Sequence, residues 1–248
     1  MILRRLLALL LGLGLGGPAL AQGSDTCRSE TVEGMGYALC EVPFGADLRL
    51  WLTAPDGRPV ATFERLREML ASEGRSLVFA MNAGMYHADR RPVGLYIENG
   101  TEAAPIVTQE GFGNFGLVPN AVFCIGPERF SVIESRAFAA APPPCRFATQ
   151  SGPALVLKGA LHPKFLADGS SRYVRNGVGV SADGSRAVFA LSAGPVNFHQ
   201  FARLFRDHLG LPDALYFDGN ISRIYAPALG LNQGGRPMGP IVGLVAPR

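Results

Sequence analysis

The chain has 248 residues, with 23 Lys and Arg against 20 Asp and Glu and a formal charge of +3. A balance this near neutral, without a basic stripe, excludes nucleic acid and anionic membrane surfaces as expected partners. The 31 glycines and 19 prolines predict many tight turns and a β-rich chain.

Arg4 and Arg5 precede a Leu-rich run, and Ala19-Leu20-Ala21 places an A-x-A site ahead of Gln22. Residues 1–21 therefore read as a secretory signal peptide, and the rest as a periplasmic or secreted protein. The apolar run is short for a bilayer span. No Cys follows the site to carry a lipid, and no later stretch is apolar enough to cross a membrane. Residues 22–248 carry no linker or charge block that would divide them, so one domain is expected. An exported chain favours disulfides among Cys27, Cys40, Cys124 and Cys145. Of the three pairings that four cysteines allow, Cys27–Cys40 and Cys124–Cys145 close short loops, the second around Pro142–Pro144.

In chain order, residues 36–42 and 47–53 alternate like an opening hairpin. Phe63, Leu66, Met69 and Leu70 recur at helical spacing, with Thr62 as N-cap and Glu64 in the first turn. Leu77–Met81 reads as a buried strand. The run 94–98 turns at Asn99-Gly100, a strong hairpin dipeptide. Strands are expected at 121–125 and 130–133, joined by Gly126-Pro127, and at 154–157, turning at Lys158-Gly159. Two more are expected at 178–181 and 187–192, joined at Asp183-Gly184. Asn197 and Gln200 then resemble a capping box, opening a helix with Phe198, Phe201, Phe205 and Leu209 on one face. Strands at 214–217, near Ile224 and at 241–245 complete the chain. Two main helices among hairpins, without regular βαβ alternation, predict an α+β domain with a mostly antiparallel or mixed sheet.

Several motifs carry no function. Gly12, Gly14 and Gly17 match G-x-G-x-x-G inside the leader, and Gly111, Gly113 and Gly116 match it without a following helix, so no dinucleotide is expected. His199 and His208 fall on opposite sides of the second helix and cannot share a metal. His87 reads as a surface or hydrogen-bonding residue, and Glu98 as a surface carboxylate. No G-x-S-x-G elbow is present. Neither a metal nor a cofactor is expected.

Four polar stretches remain, each poised at the end of an apolar strand or in a turn: Asn82-Ala83-Gly84, Gln150-Ser151-Gly152-Pro153, Arg175-Asn176-Gly177 and Asp218-Gly219-Asn220-Ile221-Ser222. Strand ends that present carboxylate, amide and hydroxyl groups are where open sheets keep their sites. Together with Pro92-Val93-Gly94, and in this order, these stretches resemble the phosphodiester glycosidase domain family. Its best-known member removes N-acetylglucosamine from a sugar phosphodiester. A bacterial branch of exported proteins is more similar still, through Gly113-Asn114-Phe115, Pro119-Asn120, Asn197-Phe198 and Leu215-Tyr216-Phe217-Asp218-Gly219. The likeness runs from about residue 37 to 244 and implies a carbohydrate or sugar-phosphate substrate. Two departures, Ala83 in place of a common Gly and Asn220-Ile221 ahead of Ser222, bear on the sugar pocket.

A phosphate monoester is a weak base and leaves with little protonation, so the paired carboxylates of ordinary glycosidases are less necessary here. Asp218 is the expected catalytic carboxylate, as nucleophile, base or stabiliser of positive charge. Arg175 is the expected phosphate clamp, its fork matching phosphate oxygens two at a time. Asn82, Gln150, Asn176, Asn220 and Ser222 offer groups for sugar hydroxyls, and the backbone N–H groups of Gly84, Gly152 and Gly219 could hold an anion. The expected function is hydrolysis of a glycosyl phosphodiester in an envelope or extracellular glycan. The alternative is a non-catalytic module that binds a glycan or peptidoglycan fragment in the same cleft.

Overall fold

The computed structural model describes residues 26–218 and 221–248; the expected signal peptide, Gly219 and Asn220 lie outside the described residues. The first third of the chain forms β1 (Cys27–Val32), β2 (Met35–Pro43), β3 (Leu48–Trp51), α1 (Phe63–Ser72), β4 (Arg75–Asn82), β5 (Tyr96–Glu98) and β6 (Thr101–Ala104). The middle forms β7 (Ala121–Ile125), β8 (Phe130–Glu134), α2 (Ser135–Ala140), β9 (Phe147–Ser151), β10 (Ala154–Leu157) and β11 (Ala160–Leu161). Then come β12 (Asn176–Val180), β13 (Arg186–Ser192), α3 (Phe198–Arg203), β14 (Asp213–Tyr216), β15 (Ile224–Ala226), β16 (Leu231–Asn232) and β17 (Ile241–Pro247).

These strands make three antiparallel sheets, ordered β1-β2-β13-β12-β14-β10-β11, β16-β15-β4-β17-β3 and β6-β5-β9-β7-β8. Alternation along each strand sends one set of side chains inward to a shared core. On β14 and its extension, Leu215 and Phe217 join that core, while Ala214 and Tyr216 face the opposite side and pack under α3. Phe189 of β13 is the hub, with ring centroids 5.3 Å from Phe79 of β4, 5.8 Å from Phe123 of β7 and 6.5 Å from Phe217. One aromatic residue thus touches all three sheets. The outer face of each sheet is covered by one helix: α3 on the first, α1 on the second through Phe63, Leu66 and Leu70, and α2 on the third through Phe138. The result is the single α+β domain expected from two helices set among hairpins.

Thr62 caps α1 by accepting from Arg65 N, and Asn197 caps α3 by accepting from Gln200 N. Helix α3 is shorter than its apolar face suggests, because Leu204–His208 continues it as one π-helical turn. Asn99 and Gly100 both take positive φ, 51° and 78°, as a tight hairpin turn requires. Both disulfides form as the loop lengths favoured: Cys27–Cys40 joins β1 to β2, and Cys124–Cys145 ties β7 to the proline run.

Two expectations are corrected. Residues 36–42 and 47–53 do not pair with each other: β2 pairs with β1 and β13, whereas β3 joins β17 in another sheet. The chain changes sheets at Phe44–Asp47, a break that alternation alone cannot reveal. Glu98 is not a surface carboxylate. It accepts from Tyr96 Oη at 2.8 Å and Leu52 N at 3.1 Å, and burial pushes its carboxyl above the usual range, against both hydrogen bonds.

Candidate active site

Strand ends from all three sheets meet at one place. Asn82 ends β4, Asn176 opens β12, Asp218 follows β14, and Ser151 ends β9 with its hydroxyl donating to Phe217 O at 2.6 Å. Asn82 and Asn176 are fully buried and bonded to each other. Asn176 Nδ2 donates to Asn82 O at 2.8 Å and to Asn82 Oδ1 at 3.0 Å. Asn176 Oδ1 faces the Asp218 segment, where the Asp218 N–H and the Ser222 hydroxyl approach it at 3.4 and 3.3 Å. Ser222 also donates to Asp218 O, and Arg223 N donates to Asn82 Oδ1 at 2.9 Å. The amide pair is therefore the frame that holds Asp218, Ser222 and Arg223, and its polar groups are committed to that task.

Asp218 itself is half-buried. Its charge is felt by two tyrosines. The Tyr216 hydroxyl is pushed up first by burial and further by Asp218, with Arg175 opposing. The Tyr86 hydroxyl is likewise pushed up by burial and then by Asp218, with Arg90 and Arg223 opposing. Asp218 thus sits within electrostatic reach of two phenols.

Arg175 is the largest fully buried side chain among the described residues. Its guanidinium carbon lies 3.5 Å from the centre of the Phe198 ring, which stacks on Phe165 at 5.0 Å, and Phe165 on His162 at 4.7 Å. Tyr216 and Tyr173 flank it at 5.3 and 5.6 Å. Nε donates to Val196 O at 2.9 Å and Nη2 to Ser171 O at 3.0 Å. Nε and one N–H of Nη2 are therefore occupied by backbone, which leaves the N–H groups of Nη1 and the second one of Nη2 for a clamp. Burial lowers the guanidinium pKa, and the side chain stays a cation because arginine does not deprotonate in proteins. Among the described residues no carboxylate forms an ion pair with it.

Among the described residues, Arg175 Nη1 and Tyr216 Oη, both buried, make no hydrogen bond of ordinary geometry. They influence each other, and Tyr216 Oη also lies beside the exposed Asn114. A buried donor left unmade costs about 1–3 kcal/mol, and more for a charged one. Two such donors side by side, next to a carboxylate, call for an acceptor-rich oxygen from outside the chain.

Other expected site residues fall differently. Gln150 is buried with its carboxamide fully engaged: Oε1 accepts from Leu95 N and Val107 N, both at 3.0 Å, and Nε2 donates to Val107 O at 2.6 Å and Ser135 Oγ at 2.8 Å. It holds loops together and presents no group for a sugar. Gly84, at φ +135°, lets the chain pass Thr149, whose Oγ1 would stand 2.8 Å from a Cβ there. Gly152 similarly packs against Asn120, whose Cβ would be 2.8 Å from an added Cβ. Gly219 and Asn220 lie outside the described residues, and His87 is exposed in a turn, its N–H bonded to Arg91 O. Sequence reasoning missed Tyr86 and Tyr216 as site residues. Tyr216 was hidden as one aromatic in an apolar strand, although the alternation of β14 puts it opposite Leu215 and Phe217.

A cavity of about 590 Å³ opens beside this junction, lined in part by Ser192, Ser222, Arg223 and Gln233. A second of about 290 Å³ lies on the other side of Arg223 and Gln233. Among the described residues, no three His, Cys, Asp or Glu side chains gather where they could hold a metal ion.

A family model described as phosphodiester glycosidase matches residues 75–239, which include every residue placed at the junction. The chain is 32% identical over 208 residues to the uncharacterized protein YigE of Escherichia coli K12, covering 84% of this chain and 81% of that one. Its fold is similar to the zebrafish N-acetylglucosamine-1-phosphodiester alpha-N-acetylglucosaminidase catalytic domain, auto-inhibited by its pro-peptide. That match has a TM-score of 0.61 and 14% identity over 88% of this chain and 81% of that one. A putative exported protein of Burkholderia pseudomallei is also similar, with a TM-score of 0.53 and 12% identity over 85% and 74% of the two chains.

Proposed function

The chain belongs to the phosphodiester glycosidase family, and on that premise we propose that it is an exported hydrolase of glycosyl-1-phosphodiesters. One domain over residues 22–248 carries the activity. The observation that carries this reading is the pair of orphaned buried donors, Arg175 Nη1 and Tyr216 Oη, within the field of Asp218. Both can donate, and a non-bridging phosphate oxygen accepts from both while carrying the charge that matches the guanidinium, which a neutral sugar hydroxyl lacks. Asn114, exposed beside Tyr216, marks the side from which that oxygen arrives.

In the reaction, the bond from the anomeric carbon to the phosphate oxygen breaks and its electron pair leaves with the phosphate monoester. Arg175 and Tyr216 hold the charge that builds there. Such preorganised donors are worth most in a dry site, where they do not reorganise. Asp218 faces the positive charge developing on the sugar ring, and water adds to the anomeric carbon as Asp218 takes its proton. The products are a free sugar and a phosphate monoester. Asn82 and Asn176 act at one remove, by fixing Asp218, Ser222 and Arg223. The two disulfides and the fold likeness to one putative exported protein support a periplasmic or secreted setting.

The test is hydrolysis of a panel of α- and β-glycosyl-1-phosphodiesters in ¹⁸O-water. The expected label is in the sugar, from C–O cleavage. Label in the phosphate would assign the protein to P–O chemistry instead, and tight binding without turnover across the panel would assign it to glycan binding.

A further inference from the structure

The smaller cavity is not needed for the chemistry above, yet its lining is strongly cationic. It lies between the start of α1 and the 232–238 segment, with Arg67, Arg223 and Arg236 on its walls and Glu64 as its one carboxylate. Among the described residues none of the three guanidinium groups forms an ion pair with a carboxylate. Arg67 lies 5.3 Å over the Tyr225 ring. Arg223 is pinned: Nη1 donates to Arg236 O at 2.7 Å, and its guanidinium lies so close to Gly235 that an added Cβ would stand 2.5 Å from Nη2. Gly235 has φ +135°, which a side chain would strain. A glycine in that conformation, with a guanidinium laid across it and held by Arg236 O, fixes the Arg223 cation at the cavity wall. The ten-residue helix α1 adds the positive end of its dipole to the same wall.

We propose that this cavity binds a second phosphoryl group of the same substrate, so that the preferred substrate carries another phosphate on the alcohol side of the scissile diester. The inference deepens the proposed function and rests on it. The link is Arg223. Its backbone N–H is bonded to Asn82 Oδ1, and the preceding Ser222 bonds Asp218 O. Consecutive residues are about 3.8 Å apart, so the cation at the cavity and the turn holding the catalytic carboxylate are immediate neighbours. Arg223 also lines the larger cavity, so the two cavities share the wall that it forms with Gln233. A substrate whose scissile bond lies at Asp218 would extend past Ser222 and Arg223, and so bring a second phosphate to the arginine cluster. Guanidinium forks suit phosphate oxygens, and an alcohol without charge leaves the cluster unused.

The experiment compares two glycosyl-1-phosphodiesters of one sugar, with ethanol or glycerol 3-phosphate as the alcohol, on the wild type and on the double variant Arg67→Gln/Arg236→Gln. Both positions are exposed, so the fold tolerates the change. The expected result is a KM about tenfold higher for the glycerol phosphate substrate, with kcat and the KM for the ethyl substrate unchanged. Equal effects on both substrates, or none on either, overturn the proposal. Calorimetric titration with inorganic pyrophosphate separates this from the catalytic reading. If no substrate is turned over but the double variant weakens pyrophosphate binding while Arg175→Gln does not, the cavity stands as a phosphate site without the hydrolase. Pyrophosphate binding unchanged in the double variant removes the cavity from the account whatever the enzyme does.

Discussion

Asn176 Nδ2 sits between the backbone oxygen and the side-chain oxygen of Asn82, at 2.8 and 3.0 Å, and so bolts the first residue of β12 to the last residue of β4 in another sheet. The two residues are 94 apart in sequence. Neither amide is free for a ligand, and both determine where Asp218 stands.

Asn176→Ala is expected to remove the donor to Asn82 O and Oδ1 and the acceptor facing the Asp218 N–H. Losing hydrogen bonds in a buried network costs about 1–3 kcal/mol. Denaturant unfolding checks that figure. Turnover should fall through kcat, since the residue fixes the carboxylate and does not bind sugar. A rise in KM with kcat unchanged would mean that Asn176 touches substrate.

Arg175→Gln and Tyr216→Phe test the orphaned pair. Removing one preorganised donor from developing charge costs about 10²–10³ in kcat, and the arginine variant should lose more than the tyrosine one. Arg175→Lys is expected to rescue little, because a lysine cannot reproduce both the stack on Phe198 and the bonds to Val196 O and Ser171 O. Kinetics on the three variants, with thermal unfolding of each, separates the roles.

Gln150→Leu should behave in the opposite way. It strips partners from Leu95 N, Val107 N, Val107 O and Ser135 Oγ, which is worth about 2–4 kcal/mol of stability. KM should be unchanged in protein that remains folded. A selective rise in KM would restore the residue to the sugar site.

Glu98 gives the pH prediction. Its carboxyl pKa is raised in the fold by burial, so the folded state holds the proton more tightly than the unfolded chain. Its contribution is full below the usual carboxylate range and declines as pH rises through the folded pKa, after which it is constant. Asp47, held low by Arg49 and then by Arg75, slopes the other way. The difference between wild type and Glu98→Gln therefore isolates the term: the variant's stability should fall less between pH 4 and 7, by urea unfolding at each pH, a range set by the usual carboxylate values near 4. Parallel curves would show that Glu98 does not titrate differently in the fold.

Much of the fold was legible because it is local. Asn99-Gly100 can hardly be anything but a hairpin turn, and Thr62 and Asn197 cap the helices that their apolar spacing announces. What stayed hidden is tertiary. Strand β9 was unread because Thr149, Gln150 and Ser151 are polar, and only the finished structure shows them buried and hydrogen-bonded. The change of sheet between β2 and β3 leaves no mark in alternation. At the site, the polar stretches at Asn82, Arg175–Asn176 and Asp218 were visible as strand ends, but their convergence depends on long-range pairing. The division of labour among them could not be read from residue type: an amide that binds sugar and one that binds backbone look the same in a sequence.

The most direct test of the account is the turnover of a glycosyl-1-phosphodiester by wild type and Asp218→Asn, with folding of both checked by thermal unfolding. The account predicts that the wild type releases free sugar and phosphate monoester, and that the folded variant loses about 10³ or more in kcat while still binding substrate. An Asp218→Asn variant that folds and turns over at the wild-type rate would contradict it.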